Sequence, residues 1–262
     1  RPVSPVTRPP RAIGTVVFDC DSTLVTIEGI TALAREHHDE IEQLTEAAMN
    51  GEVALEEVYA RRLELVRPTR DRVDALAVEY IAALVPDARE LVAALRSEGW
   101  ETRIASAGLR PAVVGVAREL GIPAEHVAAV DIYFDEDGSY AGFDRDSMLT
   151  RSGGKADLLA LWRERLPRPL VLIGDGITDL EAAEDVDTFI AYSGVVERKE
   201  VVVGADAALP WRSLAPALAF ILVGRPPEDP DALVLFNKGL ELMDVAEARQ
   251  AVSRDGYSNT EN

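Results

Sequence analysis

Residues 14–18 read Gly-Thr-Val-Val-Phe, an uncharged run of β-branched and aromatic side chains that stops at Asp19. With no polar position on either face, this is the pattern of a strand buried on both sides, as in the middle of a parallel sheet. Shorter apolar runs at 102–105, 127–130, 170–173 and 189–191 predict further strands. Between them, apolar positions at helical spacing predict helices over 87–98 (closed by Gly99), 111–120, 156–165 and 180–183. Strands alternating with helices at this spacing predict an α/β fold with a doubly wound, parallel, Rossmann-like sheet. Residues 132–143 read as a hairpin turning at Asp135-Glu136-Asp137-Gly138. That turn resembles the start of a calcium loop but lacks the later ligands, including the closing Glu.

Residues 28–84 carry almost no strand signal. Four apolar stripes predict four helices: Ile30, Leu33 and Ala34; Ile41, Leu44 and Ala48; Leu55, Val58, Leu63 and Val66; Val73, Leu76, Tyr80 and Leu84. Asn50-Gly51 and Arg67-Pro68 punctuate them. A helical block placed between the first strand and the next βα unit predicts a small cap inserted into a core formed by 13–27 and 85–224. The plainer alternative is a set of helices packed directly on the sheet. Residues 1–12, with four prolines and three arginines, read as a flexible arm. After an apolar helix at 214–223, Arg225-Pro226-Pro227-Glu228-Asp229-Pro230 reads as a linker. Residues 232–252 follow as an amphipathic helix through Leu233, Phe236, Leu240 and Met243, which could dock on its own core or on a partner. The last ten residues read as a disordered tail.

Composition narrows the possible partners. A chain of 262 residues with 47% hydrophobic content can bury a full core, and no stretch reaches the roughly 18 uninterrupted apolar residues of a membrane span. The single cysteine, Cys20, permits no internal disulfide and reads as a small buried hydrophobe, which fits a cytoplasmic setting. Twenty-seven basic against 46 acidic residues give a formal charge of −19, which disfavours nucleic acid and anionic lipid as partners. An anionic ligand would need local positive charge from a metal, a lysine or backbone N–H groups.

Four stretches could supply such a site. Asp19 and Asp21 fall at the carboxyl end of the first strand, where open α/β sheets bind ligands, although Asp-Ser-Thr is also an ordinary turn. Ser106-Ala107-Gly108 follows a strand and could present N–H groups and a hydroxyl to phosphate oxygens; alone, it is as well explained by a tight turn. Ser152-Gly153-Gly154-Lys155 opens a helix with a lysine suited to phosphate, though a lone lysine is usually surface. In Gly174-Asp175-Gly176-Ile177-Thr178-Asp179 a buried strand again runs into carboxylates. Asp19, Asp21, Asp175 and Asp179 together would repel one another unless a hard cation such as magnesium sat among them. His37, His38 and His126 have no partners at metal spacing.

Taken in order, Asp19-Cys20-Asp21-Ser22-Thr23, Ser106, Lys155 and Gly174–Asp179, with a helical insertion after the first, resemble the four motifs of the haloacid dehalogenase superfamily. The resemblance runs from about residue 13 to 215. It implies a magnesium-dependent phosphomonoesterase in which Asp19 is the nucleophile and Asp21 the acid and base. Magnesium would be held by the Asp19 carboxylate, the Asp21 backbone carbonyl and Asp175, with Asp179 ligating or orienting. Ser106, Ala107, Gly108 and Lys155 would bind the phosphoryl oxygens. Within the superfamily the likeness is to enzymes that release serine from O-phospho-L-serine, the last step of serine biosynthesis. In that register Glu28 would receive the substrate ammonium, Met49 would pack on the substrate and Arg62 would grip its carboxylate. Two departures stand out: Leu55 where an aromatic residue is common, and Ala107 where glycine is. The remaining alternatives are hydrolysis or transfer of another small phosphate and a non-catalytic phospho-ligand sensor. The resemblance leaves open a monomer or a homodimer.

Overall fold

The computed structural model describes residues 12–34, 37–50 and 52–257, without the side chains of Met49 and 245–257. Most of the expected arm and the end of the expected tail lie outside the described residues. The first strand, β1 (Thr15–Phe18), is buried at every position. Five helices follow before the chain returns to the sheet, the first four being α1 (Gly29–Leu33), α2 (His38–Met49), α3 (Leu55–Val66) and α4 (Arg70–Ala82). Then come α5 (Ala88–Ser97), β2 (Glu101–Leu109), α6 (Arg110–Glu119), β3 (Val127–Val130) and a hairpin of β4 (Ile132–Phe134) and β5 (Tyr140–Phe143). The second half alternates α7 (Gly154–Arg163), β6 (Leu170–Gly174), α8 (Ile177–Glu181), β7 (Thr188–Tyr192), α9 (Lys199–Gly204) and β8 (Ala207–Leu209). It closes with α10 (Ala215–Ile221) and α11 (Pro230–Tyr257).

The six long-sheet strands are parallel in the order β3-β2-β1-β6-β7-β8. Connections run outward to one side through β2 and β3 and to the other through β6, β7 and β8, so the order reverses at β1 and β6. That reversal opens a crevice beyond the carboxyl ends of the strands. The register sets Phe18 opposite both Ile104 and Ile173. The chain positions that follow these three residues, carrying Asp19, Ser106 and Asp175, therefore emerge side by side.

Several boundaries differ from the sequence reading. β2 continues through Ser106-Ala107-Gly108 to Leu109 instead of ending at Ala105, with a register irregularity that lets Leu109 pair with Val130. β7 is not the last strand, because Ala207–Leu209 adds a sixth. α8 starts at Ile177, three residues before the first leucine of its apolar pattern, because its first turn is occupied by polar site residues. α11 extends beyond 252 to Tyr257, so 253–257, read as tail, are helical.

The C-terminal helix packs on its own core. Ala232, Leu235 and Phe236 are buried, and a Cβ at Gly239 would collide with the Ala215 carbonyl, so α11 and α10 approach closely there. Lys238 Nζ lies 2.7 and 2.8 Å from the Asp87 carboxylate oxygens, and Glu98 Oε1 accepts the N–H groups of Glu228 and Asp229, which ties down the link. Among the inserted helices, α3 rests on the hairpin through Tyr59 and Phe143, whose rings lie 5.3 Å apart. α4 leans on the core helix α6, where Gly115 leaves room for Ala77.

Candidate active site

The turn after β1 is tight. The Cys20 carbonyl accepts the N–H groups of Thr23, Leu24 and Val25, and Ser22 takes a left-handed φ of 56° that few residues other than glycine adopt. The turn holds Asp19 at the sheet edge, its Oδ1 accepting the Cys20 N–H at 2.7 Å. Thr23 reaches across to the neighbouring strand and donates to Asp175 Oδ1 at 2.8 Å. At the end of β6, Gly174 is required by close approach, since a Cβ there would collide with the Asp179 carboxylate. Asp179 in turn accepts the Gly176 N–H at 3.0 Å.

Lys155, 3% exposed at the start of α7, is held between carboxylates. Its Nζ is 2.6 Å from Asp179 Oδ1 and 3.2 Å from Asp19 Oδ2. Burial alone would lower its pKa, but Asp179 and Asp19 raise it above the ordinary lysine value, so it stays charged. Carboxylate oxygens of Asp19, Asp175 and Asp179 all fall within 4.8 Å of one another. Burial, and then the Asp19 charge, pushes Asp175 well above the usual carboxylate range. Burial pushes Asp179 up to about 7 against the pull of Lys155. Two cations, Lys155 and Arg198, against three buried carboxylates still leave an excess of negative charge. An oxygen-only donor set of this kind fits a hard divalent cation.

Asp21 stands apart from that trio. Burial, then Glu28, raises it to about 8. Its neighbour across the crevice is Gly108, whose Cβ position lies 3.2 Å from Ser106 Oγ and 3.4 Å from Asp21 Oδ1. Ser106 Oγ accepts the Gly108 N–H at 3.0 Å. Facing them from the inserted segment are Glu28, which accepts a 2.6 Å bond from Ser22, and Arg62, which donates to Thr45 Oγ1 at 3.0 Å. Arg62 keeps a buried Nε with no protein partner.

These groups line one cavity of about 30 Å³, with Asp19, Asp21, Lys155 and Ser106 on one side and Glu28 and Arg62 on the other. Ala107 and Gly108 also line it. Every residue singled out from the sequence therefore meets here except Asp179, which touches the site through Lys155, and Met49. Met49 ends α2, and its side chain lies outside the described residues. The insert is latched over the cavity. Tyr59 donates to the Ala107 carbonyl at 2.7 Å, the Leu55 N–H donates to Ser152 Oγ at 3.1 Å, and Glu56 accepts the Ser152 N–H at 2.9 Å.

Sequence reasoning missed several members of the site. Thr23 and Tyr80 hold carboxylates, and Ile30, Thr31, Thr45 and Thr178 line the cavity. It also missed Arg198, 5% exposed, whose Nε lies 3.8 Å from Asp175 Oδ2 and Nη2 3.5 Å from Glu46 Oε1, with no hydrogen-bonded partner at any guanidinium nitrogen. Among the described residues no helix is long and apolar enough to cross a membrane.

Comparison with known proteins agrees with this geometry. The phosphoserine phosphatase of Bos taurus is 37% identical over 194 residues, covering 73% of this chain and 86% of the relative. That of Homo sapiens is 38% identical over 189 residues, covering 71% and 84%. A phosphoserine phosphohydrolase-like protein from Francisella tularensis superposes with a TM-score of 0.72 at 27% identity, over 79% of this chain and 99% of that one. The sequence profile of haloacid dehalogenase-like hydrolases matches residues 13–187, spanning the paired aspartates after β1, the lysine of α7 and the carboxylates after β6, and the chain belongs to that family.

Proposed function

We propose that the chain is a magnesium-dependent phosphomonoesterase that hydrolyses O-phospho-L-serine to L-serine and phosphate through an aspartyl-phosphate on Asp19. The observation that carries this reading is one small cavity in which Asp19, Asp21 and Lys155 of the core face Glu28 and Arg62 of the insert. A phosphate group matches the first set, and an amino acid's ammonium and carboxylate match the second. The relatives named as phosphoserine phosphatases support the same substrate.

An Asp19 carboxylate oxygen attacks phosphorus, and the serine oxygen departs with a proton from Asp21. Asp21 then takes a proton from the water that attacks the phosphoryl group, releasing phosphate and restoring Asp19. A group raised to about 8 keeps its proton near neutral pH, as donation to an alkoxide requires. Lys155, the Ser106 hydroxyl and the Ala107 N–H hold the phosphoryl oxygens, with the Gly108 N–H orienting the Ser106 hydroxyl. Asp19, Asp175, Asp179 and the Asp21 carbonyl would hold magnesium, which when bound offsets charge on the phosphoryl oxygens.

The decisive experiment is phosphate release from phosphoserine, phosphothreonine, phosphoethanolamine and glycerol phosphate, with wild type and Arg62→Ala. Wild type should prefer phosphoserine. Loss of a buried guanidinium–carboxylate pair worth about 2–3 kcal/mol should lower kcat/KM for phosphoserine by roughly 30- to 150-fold. Phosphoethanolamine, which has no carboxylate, should change little. Parallel losses on both substrates would remove Arg62 from the carboxylate site, and absence of any turnover would favour the sensor alternative.

A cavity of about 30 Å³ holds roughly one water, so substrate enters only when α3 lifts from Ala107 and Ser152. Amide exchange over Leu55–Val66 should slow several-fold when a non-hydrolysable phosphonate analogue is added. Equal exchange with and without the analogue would contradict a lid.

A further inference from the structure

We infer that Tyr80 is a positioning residue for the reaction: its hydroxyl, presented from α4, fixes the Asp21 carboxyl in the plane from which it exchanges protons with the leaving alcohol and the attacking water. The inference rests on the reading of Asp21 as acid and base.

Tyr80 Oη donates to Asp21 Oδ1 at 2.5 Å, while the Gly29 N–H donates to Oδ2 at 2.8 Å. Donors on both oxygens hold the carboxyl against rotation about both side-chain torsions. Tyr80 is fully buried. Gly29 makes room for it, since a Cβ there would overlap the Tyr80 hydroxyl.

The anchoring of α4 separates Tyr80 from the other inserted side chains around the cavity. Three residues after Tyr80, the Ala83 carbonyl accepts the Thr26 N–H at 2.9 Å, and the Val85 N–H donates to the Leu24 carbonyl at 2.9 Å. Val25 and Leu84 bridge between these bonds. The end of α4 is thus stitched to the loop that carries Asp21, and its middle is packed on α6 at Ala77 and Gly115. The latches that must open for substrate lie on α3, at Tyr59 and Leu55. Tyr80 therefore keeps its grip on Asp21 whether the insert is open or closed. Each carboxyl oxygen keeps a further lone-pair position beside the bond it accepts, so the proton that Asp21 carries as an acid can face the alcohol while Tyr80 and Gly29 still donate.

The test uses leaving groups. kcat/KM runs through the first irreversible step, in which the alcohol departs. A serine alkoxide needs a proton from Asp21, and p-nitrophenolate does not. Tyr80→Phe, with its folding checked by thermal melting, should lower kcat/KM for phosphoserine by about 10- to 100-fold, a part of what general acid catalysis contributes. The loss on p-nitrophenyl phosphate should stay within about threefold, since that step draws little on the acid. Gly29→Ala, whose methyl meets the Tyr80 hydroxyl, should give the same selective loss by an independent route and decides the matter if Tyr80→Phe does not fold. Asp21→Asn is the control. If it loses phosphoserine turnover selectively while the Tyr80 and Gly29 variants lose both substrates equally or neither, the inference falls and the Asp21 reading stands. If Asp21→Asn shows no selectivity, the Asp21 reading falls and takes the inference with it.

Discussion

Asp19→Asn should abolish phosphate release, by at least about 10⁴-fold, the scale seen when a catalytic nucleophile is removed, while leaving the folded chain more stable than wild type in chelator at pH 8. Both results come from the same atoms. The amide keeps the shape of the side chain, and its oxygen can still accept the Cys20 N–H now bound at 2.7 Å. It cannot attack phosphorus. Removing the charge relieves Asp175, Asp179 and Asp21, each of which Asp19 holds upward. The pH dependence follows by linkage. Asp179 and Asp21 are raised to about 7 and about 8 in the folded chain, whereas an unfolded Asp titrates near ~4. Between these limits the folded state binds more protons than the unfolded state, so stability falls as pH rises. Metal-free wild type should therefore melt lower at pH 8 than at pH 5. Asp19→Asn should flatten that slope, reducing the stability lost between pH 5 and pH 8 by about 1.4 kcal/mol for each unit of relieved shift. Magnesium should raise the melting temperature of wild type at pH 8 and do less for the variant. Thermal melts in chelator at the two pH values, repeated with magnesium, provide the check. A wild type that gains stability toward pH 8 without metal would show that the acidic cluster is not under the repulsion described.

The parts of this site that were legible in the sequence are those whose signal is local. Thr15–Phe18 reads as a buried strand, which puts the aspartates after it at a sheet edge, although Asp-Ser-Thr alone would also fit an ordinary turn. The parallel register then carried the other motifs to the same edge without further information. Tyr80 was visible only as one apolar position in a helical stripe with Val73, Leu76 and Leu84. Its role depends on a hydroxyl meeting Asp21, 59 residues away, and no periodicity encodes that contact. Arg198 stands among Glu197, Lys199 and Glu200 and reads as a solvated charge until Glu46 on α2 and Asp175 just past β6 close around it. Ser106-Ala107-Gly108 read as a turn because small residues favour turns. Pairing of the flanking Ala105 and Leu109 with β3 holds the segment in the strand across a register irregularity, an instance of tertiary contact overriding local preference. β8 is three residues of Ala-Ala-Leu, too short and too weakly β-forming to stand out.

Lys155→Met should fail in two separable ways. The ammonium is the only cation in direct contact with Asp19 and Asp179 among the described residues, at 3.2 and 2.6 Å, and it is almost fully buried. Deleting one partner of a buried pair leaves the other charges without compensation, which typically costs about 3–5 kcal/mol. The variant should therefore melt well below wild type in chelator. Magnesium should restore part of the loss, because it too supplies positive charge to Asp19, Asp175 and Asp179. On the proposed mechanism activity should not return, because there the lysine would also act on the phosphoryl oxygens, and loss of one such electrostatic donor lowers kcat by about 10²–10³-fold. The double variant Lys155→Met with Asp179→Asn separates the two effects. With the carboxylate neutralised, its stability should recover most of what the single variant lost, giving strong coupling between the two positions in a double-mutant cycle. It should remain as inactive as Lys155→Met alone. Stability that failed to recover would mean that packing around the lysine chain, rather than its charge, holds this corner together. Activity that returned with stability would mean that Lys155 acts on the substrate only by keeping Asp179 and Asp19 in place.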